Sequence, residues 1–365
     1  DPLGCGEGKN MDRFTKTTRK LAAVYKKHGS WKKVVNLEPI VEKPVEKNQV
    51  KVKMLRAPIS TADLNMIQGT YGILPATLPA VGGNEGVGII TEVGSEVQKF
   101  NLHDRVIAAR PLVGTWQEEV ICSPESLMEV DTEISLENAS VIGGGPQTAY
   151  RMLEDFVNLQ PGDTVIQNCS NSMVGQSVIQ IAKQKGLRVI SIIRTPRTDQ
   201  RELTEHLKQM GSEIVVSDEY AATSKFKKLI SDLPAPKLAL NGAGGDTVRS
   251  MSNVMAKGGV VVTYGGMSRL PVVVGTGSMI FSDIQYAGYW NTRWIANNTE
   301  EDRRIMLDDI ATMIKKKQLN LFFQNHPFNE FDTAPIRFDL PFRNRKFLLN
   351  FEEDTYTDPN PIDMV

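Results

Sequence analysis

The chain has 365 residues, 41% of them hydrophobic, and a formal net charge of -1 at pH 7. That is long enough for two domains and a large core, and the balanced charge gives no support to nucleic-acid binding or to electrostatic attachment at a membrane. Cys5, Cys122 and Cys169 are scattered, odd in number and without a CxxC pair, which argues against a disulfide framework or a structural zinc lobe and points to a reducing compartment, and no apolar run approaches the ~20 residues of a membrane span.

Residues 1–18 carry Arg13, Lys16 and several Thr beside Asp1, Glu7 and Asp12, without apolar periodicity, so they read as a disordered tail or the remnant of a transit peptide. From Leu21 the texture is one of short strands and turns, at 21–25, 34–37, 49–57, 86–93 and 104–109, with Val50, Val52 and Met54 alternating. The spacing predicts an all-β or α+β domain over 19–140 made of short strands rather than helices, with Ser135, Leu136, Glu137 and Asn138 offering a helix start at its end. One loop stands out in it, residues 65–72, where the phenol of Tyr71 is flanked by Gly69 and Gly72; loops of this kind commonly carry reactive groups.

A helix is predicted over 148–156, and behind it residues 163–194 read as strand, tight turn, helix and strand. Thr164–Gln167 is a short apolar run, Val174, Val178, Ile181 and Ala182 recur at helical spacing, and Gly186 precedes a β-branched run over 189–193. In such a βαβ unit the helix N-terminus faces the crevice where a pyrophosphate sits, so Asn171, Ser172, Met173, Val174 and Gly175 become candidate cofactor contacts. The glycine fingerprint is poor, with Cys169, Ser172 and Gly175 at its three positions, and an ordinary α/β turn would read much the same. After the second strand stand Arg194, Arg197 and Arg201 where an NAD site usually has an acid, a pattern that suits a 2′-phosphate and hence NADPH. Helices at 199–210, 224–233 and 246–256 then alternate with strands at 213–217, 237–241 and 259–264, predicting a doubly wound parallel sheet over 141–290. Past a run at 284–290, a helix over 301–316 and an irregular stretch to residue 353 could return to the first domain, and 354–365 form an acidic tail read as disordered.

The segments NMIQGTYG, LPAVGGNEGVG, TAYRML, LQPGDTVIQN, VGQSVIQIA, LALN and VTYGGM, in order from Leu21 to Leu349, closely resemble the mitochondrial trans-2-enoyl-CoA (enoyl-thioester) reductases of the medium-chain dehydrogenase/reductase superfamily. The resemblance implies an α/β fold: a GroES-like β-rich catalytic domain with a Rossmann cofactor domain. It also implies an NADPH-dependent reductase acting on enoyl-CoA or enoyl-acyl carrier protein, a homodimer and a place in the mitochondrial matrix. Tyr71 falls at the family's catalytic acid; Tyr264, Gly265, Gly266 and Met267 fall beside the nicotinamide; Tyr289, Trp290, Asn291, Thr292 and Lys346 match further cofactor contacts. Zinc-dependent relatives carry Gly-His-Glu where this chain has Gly83-Asn84-Glu85, and His28, His103, His206 and His326 match no ligand spacing, so no metal is expected. Met173 replaces a family glycine, Gly145 a cofactor-contacting asparagine and Tyr289 a phenylalanine. Lys315, Lys316 and Lys317 are a candidate basic patch for the pantetheine phosphate or an acidic carrier. Two alternatives stay open: a quinone or enone reductase, and a catalytically impaired homologue that serves as a binding protein.

Overall fold

The computed structural model describes residues 19–333 and 344–352; the two expected tails, 1–18 and 354–365, lie outside the described residues. Ten strands build the β-rich part: β1 Leu21–Tyr25, β2 Val35–Pro39, β3 Val50–Pro58, β4 Ala80–Val81, β5 Val87–Val93, β6 Arg105–Ala108, β7 Glu119–Cys122 and β8 Leu127–Glu129, with β15 Phe323–Pro327 and β16 Lys346–Asn350 from the far end of the chain. β1 lies between β2 and β4 in a small sheet, and the larger sheet runs β15-β16-β3-β5-β6-β8 with β7 also on β3. β3 is long enough to share one edge, taking β7 along its start (Val50 opposite Cys122) and antiparallel β16 along its end (Leu348 opposite Pro58). The core beneath joins Val52, Ile90 and Trp116 to Phe331 and Phe347, so the unit closes only when the late segment returns. Arg56, buried on β3, ties that return down by donating to Glu137 at 3.2 Å and to Glu352 at 2.7 Å.

The helix start offered at Ser135 is present as Leu136–Val141, but the reading of the stretch before it as strands and loops is corrected. Residues Thr61–Gln68 are a helix, and the supposed loop 65–72 begins as its last turn. The Ser60 hydroxyl caps the Asp63 amide, the Asp63 carboxylate accepts from the Ser60 amide at 2.7 Å, and Gly69 ends the helix with φ 77°. The caps, rather than apolar periodicity, fix this helix.

Between these segments the remaining strands, β9 Thr164–Gln167, β10 Arg188–Ile193, β11 Ile214–Ser217, β12 Leu238–Asn241, β13 Val260–Thr263 and β14 Gln285–Gly288, form a parallel sheet ordered β11-β10-β9-β12-β13-β14. β9 and β12 are buried at every residue, as expected of central strands covered on both faces. The helix expected at 224–233 is shorter, Lys225–Leu229, and a further short helix that was not expected, Asp218–Ala221, precedes it. Strand order reverses between β9 and β12, which opens a crevice at their carboxyl ends. Among the described residues no helix is long and apolar enough to cross a membrane.

Candidate active site

Tyr71 follows the αL cap of helix Thr61–Gln68, and Trp290 follows β14, so the carboxyl edge of the parallel sheet meets the β-rich part here. The Trp290 indole Nε1 donates to Tyr71 Oη at 2.9 Å, with the rings edge to face at 6.2 Å between centroids. Indole is a donor only, so the phenol is used as an acceptor and keeps its own proton to give. Burial holds the Tyr71 pKa above that of a free phenol; Trp290 and Thr292 pull it down, and the charges of Asp63 and Glu85 push it up.

Those two carboxyls belong to a cluster that the sequence reading missed. Asp63 is buried and accepts from Asn84 Nδ2 at 2.6 Å, and Asn84 Oδ1 accepts from the Leu112 amide at 2.8 Å. Asn84 therefore has both ends engaged in structure. Among the described residues no group of three or more His, Cys, Asp or Glu is gathered that could hold a metal ion. Glu85 is partly buried against Gly144, and its pKa is pushed up to about 7 by burial, with Lys346 and Arg303 opposing and Asp63 adding to the rise. Arg303 is buried, donating to Gln147 at 3.0 Å and to the Ala109 carbonyl, and burial lowers its pKa to about 10. The Ser60-x-x-Asp63 capping pattern could have drawn attention to Asp63, whereas Asn84 and Glu85 stood out only as the counterpart of a metal-binding Gly-His-Glu.

The candidate cofactor crevice is built from three strand ends. Behind β9, Ser172 caps helix Met173–Gln184 by accepting from the Gly175 amide at 3.1 Å. A Cβ on Gly175 would stand 2.6 Å from the Cys169 carbonyl, so the helix start can press onto the turn only with glycine there. Val174 is partly buried and packs on the core of this unit. Met173 turns toward helix Gly145–Glu154: a Cβ on Gly145 would stand 2.7 Å from Met173 Cγ and 3.3 Å from its Sδ. The thioether thus fills the groove left by a glycine at position 145.

Behind β13, a Cβ on Gly265 would come within 3.0 Å of the Gly242 carbonyl, whereas Gly266 borders open space. Tyr264 lies between the strand ends, its hydroxyl buried beside Ser172 without a hydrogen bond of normal geometry and its pKa raised by that burial. Met267 is exposed and receives a hydrogen bond from Thr61 across the cleft at 3.5 Å. Behind β14, Tyr289 is buried and donates to Asn291 Oδ1 at 3.0 Å; Gln147 donates to the same oxygen at 2.8 Å, and Asn291 donates to the Gly143 carbonyl at 2.9 Å. These two brace the strand end, while Trp290 and Thr292 stand at the phenol. Lys346, the first residue of β16, is near enough to Asp63 and Glu85 to favour their charged forms.

The arginines differ among themselves. Arg194 is exposed at the end of β10, Arg201 is exposed and paired with Glu205, and Arg197 is buried in a two-pronged pair with Asp199. Helix-start amides, a leftover phenol donor, a backbone cradle open at Gly266 and an exposed guanidinium together fit an anionic dinucleotide. The Lys315 part of the proposed basic patch is corrected: its ammonium sits on Asp131 at 2.6 Å and Glu133 at 2.9 Å.

Two families of domain match the chain: the alcohol dehydrogenase GroES-like domain over residues 46–155 and the zinc-binding dehydrogenase over 174–311. The mitochondrial enoyl-acyl-carrier-protein reductase of Dictyostelium discoideum is 43% identical over 89% of this chain and 93% of its own length. The human protein of that name is 42% identical over 90% of this chain and 88% of its own. The solved complex of Etr1p with NADP and crotonyl-CoA superposes with a TM-score of 0.83 at 27% identity, covering 91% of this chain and 99% of that one.

Proposed function

The chain belongs to the mitochondrial enoyl-acyl-carrier-protein reductases, and from that premise we propose that it reduces trans-2-enoyl thioesters with NADPH in mitochondrial fatty acid synthesis, Tyr71 giving the proton. The observation that carries the residue assignment is the Trp290 hydrogen bond into Tyr71 Oη. When bound, the nicotinamide supplies hydride to the β-carbon of the substrate. The chain's own part is to hold the thioester in the cleft and to protonate the α-carbon. Tyr71 enters that step protonated because burial and the nearby carboxyls disfavour phenolate. After donation its oxygen keeps the Trp290 N–H, and burial, with the carboxylate form of its neighbours adding to it, favours its recovery of a proton. Asn171 to Gly175 would receive the pyrophosphate, Arg194 the 2′-phosphate, and residues 264–267 with Thr292 and Lys346 the nicotinamide half.

The substrate is proposed to lie between a catalytic domain, residues 19–140 with 291–353, and a cofactor domain, 141–290; the pairing of β16 with β3 supports that division. A cavity of about 200 Å³ opens on the β-rich side, where Asp63, Asn84 and Gln117 line it together with Met66, Ile67 and Pro75. A homodimer is proposed across β14, an edge strand flanked by Met279, Ile280 and Phe281, which are 53%, 66% and 78% exposed. Phe281→Glu is expected to halve the mass seen by light scattering; an unchanged mass would remove the dimer from this face.

The test of function is NADPH oxidation by the purified protein with a trans-2-enoyl-CoA and with the enoyl-acyl carrier protein, beside NADH and a simple quinone. Turnover that requires both NADPH and a thioester is expected. Equal turnover of the quinone would overturn the assignment.

A further inference from the structure

Asn344 stands two residues before Lys346, on the segment that returns to the β-rich sheet, yet its side chain is spent on the other unit. Its Oδ1 accepts from Asn171 Nδ2 at 3.2 Å and from Arg197 Nη2 at 3.1 Å, and its Nδ2 donates to Asp199 Oδ2 at 2.8 Å. Its backbone carbonyl accepts from Gln176 Nε2 at 2.8 Å, and that amide also donates to the Asn171 carbonyl at 2.7 Å. One asparagine thus holds the turn behind β9, the first helical turn after it and the loop behind β10. Arg197 is no free cation in this arrangement. Its guanidinium lies on Asp199 through bonds of 2.6 and 2.7 Å, with the side chain 2% exposed. Its Nε and Nη2 edge is taken up by Asp199 and Asn344 and the side chain is buried, so the two-pronged fork that would grip a phosphate is already spent on a carboxylate.

We propose that Asn344 and Arg197 are positioning residues, which with Asp199 form a latch fixing the pyrophosphate turn against the strand that bears Lys346, and that Arg197 does not read the 2′-phosphate. The proposal rests on the NADPH reading above. The turn it steadies meets the pyrophosphate, which NADPH and NADH share. Loss of the latch therefore weakens both dinucleotides alike, while loss of a phosphate reader weakens NADPH alone.

Binding of NADPH and of NADH, followed by quenching of protein fluorescence, separates the two roles without recourse to turnover. Asn344→Ala and Arg197→Ala are expected to raise both dissociation constants about tenfold and to leave their ratio within about twofold of wild type, given about a tenfold effect per lost hydrogen bond. Arg197→Lys keeps the charge but not the fork, so it gives a smaller rise of the same kind in a less perturbed protein. Arg194→Ala raises the NADPH constant only. If Arg197→Ala loses NADPH while NADH binding is untouched, Arg197 is the reader and the proposal falls. If Asn344→Ala changes neither constant while wild type binds NADPH, the latch alone falls. Failure of the wild type to bind NADPH would overturn the latch and the reductase reading together.

Discussion

At Gly145 a Cβ would stand 2.7 Å from Met173 Cγ, so the two positions share one space. Each read alone suggests a weakened cofactor site; together they fill the groove between two helices. Gly145→Asn alone should lower stability by about 1–3 kcal/mol through overpacking, and adding Met173→Gly should recover about 1 kcal/mol or more of that. Denaturant unfolding of the four proteins measures the coupling, and strict additivity would show that the residues do not touch. Glu85 offers a second residue-scale check. Its pKa in the fold is raised to about 7, so the neutral carboxyl is favoured. Its contribution is fully present below the carboxylate's ordinary pKa and is lost as pH rises through about 7. Thermal midpoints should show Glu85→Gln gaining on wild type between pH 5 and pH 8; a constant difference across that range would contradict the assignment. Neither relation was legible in the sequence. Met173 and Gly145 meet through packing between helices, and the burial of Glu85 depends on Gly144 lying over it.

The helix Thr61–Gln68 shows what the strand pattern concealed. Period-two alternation describes the first half of β3, before the strand becomes buried at every residue from Met54 on, but it carries no signal for an eight-residue helix with a capping box at its start. The spelling was present in Ser60-x-x-Asp63 followed by Gly69. Ser60→Ala should cost about 1–2 kcal/mol in urea unfolding, since Ser60 Oγ both caps the helix and donates to the Asp63 carboxylate at 2.7 Å; no change would mean the cap is idle. The parallel sheet was far easier to read. Its short apolar runs between helical periods can form little else, and β9 matches its expected span while β10 and β12 differ from theirs by one residue. The loops behind those strands were legible only by type. Arg194 and Arg197 look equivalent in sequence, and the ion pair with Asp199 makes them different.

Across the whole molecule, function depends on contacts that span most of the chain. Trp290 reaches Tyr71 over 219 positions, Met267 meets Thr61 over 206, and Asn344 meets Asn171 over 173. Such pairs leave no local mark; they follow from β16 returning to β3 and from β14 ending beside the phenol. The architecture therefore brings two sequence-distant loops together at the Tyr71 hydroxyl. The most direct test compares steady-state reduction of a trans-2-enoyl-CoA by wild type and Tyr71→Phe, with NADPH affinity measured on both. Loss of the acid predicts a kcat lower by about 10²-fold or more, with the NADPH dissociation constant within about twofold of wild type because the cofactor crevice is untouched. Near-wild-type kcat in Tyr71→Phe would show that the proton comes from elsewhere and would contradict the account.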